Sequence, residues 1–218
     1  MKTKAFFKNL RFSVENFAIL ISILSLVISA VGFYINTVRP PNISVIPAPY
    51  IKHVVDNASL NEAFFVPLTL VNQGAQTGTV LSFDLNVTNR ETGETRTYYG
   101  QYFAQDDAPT ELGAFFTPIT LDGYSSTSYT VCFYPIGSQA GNLLSGQGDF
   151  GFEVVGKVSN VTKKNTQTRT NEFHISVDES MANVMTSQPD GEYIYPLKIE
   201  STSTPENFLL KLLYNYLK

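Results

Sequence analysis

The chain has 218 residues, 43% hydrophobic and 16% charged, which is too apolar for a disordered protein and light in charge for a soluble enzyme. Its net charge of -4 is unevenly spread: Lys2, Lys4, Lys8 and Arg11 crowd the N-terminus, whereas residues 40–218 carry 10 Lys and Arg against 18 Asp and Glu, a net of -8. An acidic body without a basic stripe argues against nucleic acid as a ligand.

The first element is an apolar helix. From Phe17 to Ile35 nineteen residues run without a charge. As a helix rising about 1.5 Å per residue they span roughly 28 Å, close to the ~30 Å hydrocarbon core of a bilayer. The four basic residues before it predict a cytoplasmic N-terminus, residues 1–15, and place the body of the chain on the far side of the cell membrane. The membrane segment is taken as residues 16–38, with Phe33 and Tyr34 at the outer interface and Arg39-Pro40-Pro41 stopping the helix. The rival reading is a cleaved signal peptide, for which Ala30-Val31-Gly32 offers small residues. The apolar run, however, exceeds a typical signal core and continues past that site.

One side of this helix is notched. Ala18, Ser22, Ser25, Ser29 and Gly32 follow one another at steps of four, three, four and three. Lipid gives helices no hydrophobic reason to associate, so small residues that permit close approach mark a packing face. The stripe predicts a partner helix, from a second copy or from another membrane protein. Serine bonded back to its own preceding turn, touching nothing else, is the competing explanation.

After the anchor the pattern changes to short strands, favoured by sixteen Phe and twelve Tyr. Strands are predicted over 42–47, over 64–74 with Pro67 marking an edge or a bulge, and over 78–89. In the last of these Leu81, Phe83, Leu85 and Val87 share a face from which Val80 departs. Further strands follow over 95–103, 114–121, 124–135, 149–160 and 168–178, with Asp122-Gly123 as a hairpin turn between 114–121 and 124–135. The expected fold is all-β: an antiparallel β-sandwich of seven or eight strands over residues 39–200, behind one transmembrane helix.

The stretches "VPLTLVNQGAQTGTVLSFDLNV", "LDGYSSTSYTVCFYP" and "GFEVVGKVSN" resemble the immunoglobulin-like modules of bacterial surface proteins, the cell-adhesion-related (CARDB-type) class in particular. There a strand ends in Asn-x-Gly, another follows at once, and a later one begins after a Gly-Ser-Thr-rich turn. The match covers about residues 60–178 by pattern and departs at the end, where the acidic-Asn closing motif of that class is missing. It implies an immunoglobulin-like fold and, because such sandwiches serve many roles, little about function.

Reactive groups are sparse. His53 and His174 are the only histidines, and His174, in "EFHISV", reads as a structural or surface residue. Cys132, the single cysteine, sits in an apolar strand as a small core hydrophobe. No Cys or His lies at metal-ligand spacing, and the acidic run Asp106, Asp107, Glu111 reads as a solvated turn rather than a calcium loop. "DES" (Asp178 to Ser180) reads as a strand end. No enzyme signature and no cofactor motif is found.

The chain closes on "TPENFLLKLLYNYLK", within residues 201–218, where Thr204 and Pro205 suit a helix start. Phe208, Leu209, Leu212, Leu213 and Tyr216 belong to an apolar arc too wide for a free surface helix of this length. It is assigned to partner or membrane contact, with capping of the sandwich as the alternative.

Two functions are open at this point. One is a membrane-anchored, non-catalytic interaction protein, an accessory subunit or assembly factor of an envelope complex. The other is a tethered binding module recognising polysaccharide or a surface protein through rings such as Tyr98, Tyr99 and Tyr102.

Overall fold

The computed structural model describes residues 14–56, 61–105, 112–135, 142–144, 146–160, 165–187 and 192–202. The expected helix is present as α1 (Val14–Phe33), continued by a wider π-helical turn over Tyr34–Val38. Phe17–Val38, 22 residues, is long and apolar enough to cross a membrane, and among the described residues nothing buries it. The helix ends where the sequence requires it. Arg39 precedes a proline and is extended (φ -54°, ψ 120°), and its N–H closes the last turn onto Tyr34 O at 2.9 Å.

The rest is all-β. The strands are β1 (Ile43–Pro47), β2 (Tyr50–Asp56), β3 (Asn61–Asn72), β4 (Gly78–Asn89), β5 (Thr95–Ala104), β6 (Leu112–Phe115), β7 (Ile119–Leu121), β8 (Ser126–Pro135), β9 (Gly148–Asn160), β10 (Asn165–Val177), β11 (Glu192–Lys198) and β12 (Ser201–Thr202). A two-turn helix, α2 (Glu179–Thr186), lies between β10 and β11. All pairings are antiparallel, in the order β11-β2-β3-β8-β5-β4-β9-β10-β12, with β1 on β3, β6 on β5 and β7 on β4.

This single hydrogen-bonded sheet curls over onto itself. β5 forms the crease, with Thr95–Tyr99 on β4 and Tyr98–Phe103 on β8. The two inner faces then meet in one core. Phe64 of β3 reaches Phe152 of β9 edge-on at 5.5 Å between centroids, and Phe152 stacks on Phe173 of β10 at 5.1 Å. Alternation drives this packing: Phe150, Phe152, Val154 and Val158 on β9 all point inward.

Four local expectations need correction. Asp122-Gly123 does not close a hairpin: β7 pairs with β4, whereas β8 pairs with β3 and β5. The turn is a corner between two parts of the curled sheet, and the run 114–121 breaks into β6 and β7 around Pro118. In β4 the register shifts between Val80 and Ser82, so Val80 joins the core and Leu81 turns outward, the reverse of the expected faces. A bulge inserts one residue and flips every side chain beyond it.

Pro67 sits at neither an edge nor a bulge, since β3 is central. Its carbonyl accepts Ala48 N–H at 2.9 Å, so its missing N–H faces the gap where β1 gives way to β2. Lastly, Asp178 starts a helix instead of ending a strand: its carboxylate accepts the Met181 N–H at 2.7 Å and caps α2, which buries Ala182 and Met185. β2 was not foreseen, because His53 interrupts its inward row of Ile51 and Val55.

Candidate functional site

The helix meets the β-domain without slack. Four residues, Arg39 to Asn42, separate the last helical turn from β1, and all of them pack on the turn after β3. Arg39 O accepts the N–H groups of Ala75 and Gln76 at 3.0 and 3.1 Å, and Asn42 O accepts that of Gln73 at 3.0 Å. The approach is so close that a Cβ on Gly74 would lie 2.0 Å from Pro40 O.

Asn72 holds this junction together from within. Its side chain is 1% exposed. Its Oδ1 accepts from Asn42 N at 3.1 Å and Gly74 N at 3.0 Å. Its Nδ2 donates to Gln76 O and Asp122 O, both at 2.9 Å. One amide thus ties the exit of the helix, the β3–β4 turn and the β7–β8 corner together. Tyr124, in the left-handed region at φ 54°, donates its hydroxyl from that corner to Ile35 O. A bulky residue there is uncommon, and the contact it makes fixes the corner to the helix end.

Beside the junction, Tyr34, Arg39, Pro40, Asn42 and, from the β9–β10 hairpin, Gln167 and Arg169 line a cavity of about 360 Å³. The Arg169 guanidinium donates through Nη2 to Asn42 Oδ1 at 3.1 Å and to Gln167 Oε1 at 3.0 Å, both neutral acceptors. Its buried Nε has no hydrogen-bond partner among the described residues.

A second polar cleft, about 370 Å³, lies over β4, β9 and β10. There Arg90 donates to His174 Nε2 at 2.8 Å and pairs with Asp149 at 3.3 Å, while Asn86 Nδ2 donates to Glu153 at 2.8 Å. Since arginine only donates, Nε2 of His174 is the acceptor and its proton sits on Nδ1. That Nδ1 is buried and has no hydrogen-bond partner among the described residues.

The third polar group is sealed in the core. Glu62 is 3% and His53 0% exposed. The Glu62 carboxylate accepts from His53 Nε2 at 3.1 Å, Leu143 N at 2.9 Å, Arg96 at 3.4 Å and the Tyr98 hydroxyl. Burial alone raises the Glu62 pKa, but the hydrogen bonds and charge of His53, with those of Tyr98 and Leu143, outweigh it and hold the carboxyl below its ordinary value of 4.5. Burial, then the Glu62 charge, pushes the Tyr98 phenol far up. His53 also stacks on Phe64 at 4.9 Å between centroids. Among the described residues this carboxylate is enclosed by its partners and knots β2, β3 and β5 together.

These placements sort the candidate residues. Tyr98 is corrected from a ligand ring to a core residue, because its hydroxyl is spent on Glu62. Tyr102 packs against Phe115 and Tyr134, which leaves Tyr99 as the outward-facing ring of the three. Ala18, Ser22, Ser25 and Ser29 are exposed on α1, and an added Cβ at Gly32 would meet nothing among the described residues. Ser22 donates to Ala18 O at 2.9 Å, so its hydroxyl is satisfied within its own helix. Phe208, Leu209, Leu212, Leu213 and Tyr216, with Asp106, Asp107 and Glu111, lie outside the described residues.

Cys132 is buried and free, and burial pushes its thiol up to about 12. Among the described residues no group of three His, Cys, Asp or Glu side chains is arranged to hold a metal ion.

No protein-family model matches the chain, and no curated protein matches it in sequence. Solved structures show only a distant likeness. A protein described as ApaA from Bordetella pertussis is 12% identical, with 65% of this chain and 98% of that one covered and a TM-score of 0.40. A FixG-related protein from Vibrio parahaemolyticus is 10% identical over 62% of this chain and 94% of that one, at 0.32. The CooA pilin subunit of enterotoxigenic Escherichia coli is 15% identical over 63% and 99%, at 0.33. Likeness at this level carries no functional argument.

Proposed function

We propose that the chain is a single-pass membrane protein with its N-terminus in the cytoplasm, and that its β-domain works outside as a non-catalytic interaction subunit held at the bilayer surface. The observation that carries this reading is the junction without slack. An adhesion module that reaches for distant ligands needs a tether, whereas Arg39 to Asn42 are packed and hydrogen-bonded along their length. A domain fixed at that height meets partners embedded in, or lying on, the same membrane. The small-residue face of α1, which no described residue of the β-domain covers, supplies the lateral contact. Because Ser22 is satisfied internally, this contact rests on shape more than on hydrogen bonds.

The test is affinity purification of the tagged full-length protein from native membranes in mild detergent, beside a variant with Ser22, Ser25 and Ser29 changed to Leu. A stoichiometric membrane partner that the variant loses supports the reading, and a second copy of the chain counts as such a partner. If both proteins recover the same companions, or none, the helix only tethers and the interaction reading fails.

A further inference from the structure

We propose that the cavity between the exit of α1 and the β9–β10 hairpin binds the phosphate of an anionic lipid headgroup, with Arg39 and Arg169 as its ligands. The proposal rests on the reading of α1 as a membrane span, and three independent observations point to it.

The first is charge. Among the described residues Arg90 pairs with Asp149, and Arg96 with Glu62 and Glu94, whereas Arg39 and Arg169 have no carboxylate partner. Both line this one cavity, and among the described residues no Asp or Glu lines it with them. Residues 40–218 carry a net charge of -8, so a cationic pocket here runs against the average of the body.

The second is the state of Arg169. Two neutral amide oxygens orient its Nη2, which positions the guanidinium without neutralising it. Its buried Nε has no acceptor among the described residues. A half-buried cation with a donor to spare is completed by an oxyanion, and the planar fork of arginine matches phosphate geometry.

The third is position. The cavity wall includes Tyr34, within the span, and Pro40 and Pro41, immediately after it. The phosphate layer of a bilayer begins where the hydrocarbon ends, so the pocket opens at headgroup depth whichever way the protein is oriented. A volume of about 360 Å³ accommodates a phosphate with part of its glycerol. Inorganic phosphate shares the chemistry but has no reason to meet a site at this depth.

The full-length protein is reconstituted in vesicles of phosphatidylcholine with a minor share of phosphatidylglycerol, released in mild detergent, and its retained lipids are counted by native mass spectrometry. The wild type is expected to keep phosphatidylglycerol well above its bulk share. Arg39→Gln and Arg169→Gln are each expected to weaken retention about fivefold, and the double variant more. Arg39 is exposed and makes no side-chain hydrogen bond among the described residues, so loss in that variant does not reflect unfolding, and a thermal melt of each variant confirms it. Retention of both lipids in their bulk ratio, or undiminished retention by the double variant, overturns the proposal. So does displacement of the lipid by millimolar inorganic phosphate, which would assign the site to a soluble anion. Extraction of the vesicle-bound protein by alkaline carbonate tests the span itself, and failure there is read apart from lipid selectivity.

Discussion

The side-chain oxygen of Asn72 accepts the backbone N–H of Asn42 at 3.1 Å, across thirty residues of sequence, and so joins the end of a central strand to the exit of the apolar helix. The same amide serves Gly74, Gln76 and Asp122. Asn72→Ala strands one buried and one half-buried N–H group and two carbonyls, and is expected to cost about 2–4 kcal/mol in thermal melts of the full chain in detergent. Asn72→Asp keeps the acceptor and loses the donors, so it should fall between alanine and wild type. Equal melting of the aspartate and alanine variants would mean that the acceptor half contributes nothing.

Three glycines rank themselves by what a methyl group would meet. At Gly74 it lies 2.0 Å from Pro40 O and at Gly123 2.0 Å from Ala75 O, both backbone atoms that cannot swing aside. Each alanine variant is therefore expected to lose about 1–3 kcal/mol or more. At Gly146 nothing lies within 4 Å and no positive φ is needed, so Gly146→Ala should be neutral or gain up to about 1 kcal/mol. A melt in which Gly74→Ala is as stable as Gly146→Ala would show that the helix–domain junction is looser than described.

Much of the fold was legible because strand alternation survives packing. The rows of β9 and β10 appear in the sequence as they do in the core, and the long apolar helix needed only its length and its lack of charge. The misses share a cause: a distant contact overruled a local signal. Asp122-Gly123 is a strong hairpin pair, yet Asn72 draws its carbonyl into a corner that sends β7 and β8 to different neighbours. The bulge at Leu81 left no local mark beyond Val80 standing out of phase. For the buried cluster a signal was present: Glu62 shares its inward row with Phe64, Val66 and Leu68, and His53 shares one with Ile51 and Val55. A charged residue in phase with a core row announces a partner, though not which one. Arg39 and Arg169 carry no such mark, because their shared cavity exists only once the hairpin is placed beside the helix exit.

Cys132 offers a test of how tightly β8 is held. Its thiol is 0% exposed and burial pushes its pKa up to about 12. At pH 8 the thiolate fraction is then on the order of a thousandfold below that of a free cysteine. Ellman's reagent should detect no thiol in the native chain over minutes and one per chain in guanidinium. Rapid native labelling would mean that β8 opens locally between β3 and β5.

The buried carboxylate should also set the acid limb of stability. Glu62 titrates below its ordinary value of 4.5 in the folded chain, because the contacts from His53, Tyr98 and the Leu143 N–H outweigh the burial that opposes them. A carboxyl with a depressed folded pKa binds its proton more readily in the unfolded chain. Its stabilisation is therefore complete above about pH 4.5 and lost as the pH falls through the folded value. Glu62→Gln removes the charge but keeps the shape, and leaves His53, Arg96 and Tyr98 around an amide. At neutral pH it is expected to cost about 2–4 kcal/mol. The gap between wild type and variant should narrow steadily as the pH falls from 5 toward 3, since protonation imposes on the wild type what the substitution has already done. Asp149→Asn is the control, because its pair with Arg90 is exposed and worth about 0–1 kcal/mol, and its gap should stay small throughout. Urea melts of the three proteins across that range decide the matter. A Glu62→Gln gap that stays constant from pH 7 to 3 would show that the carboxylate contributes packing and hydrogen bonds without a charge-dependent part.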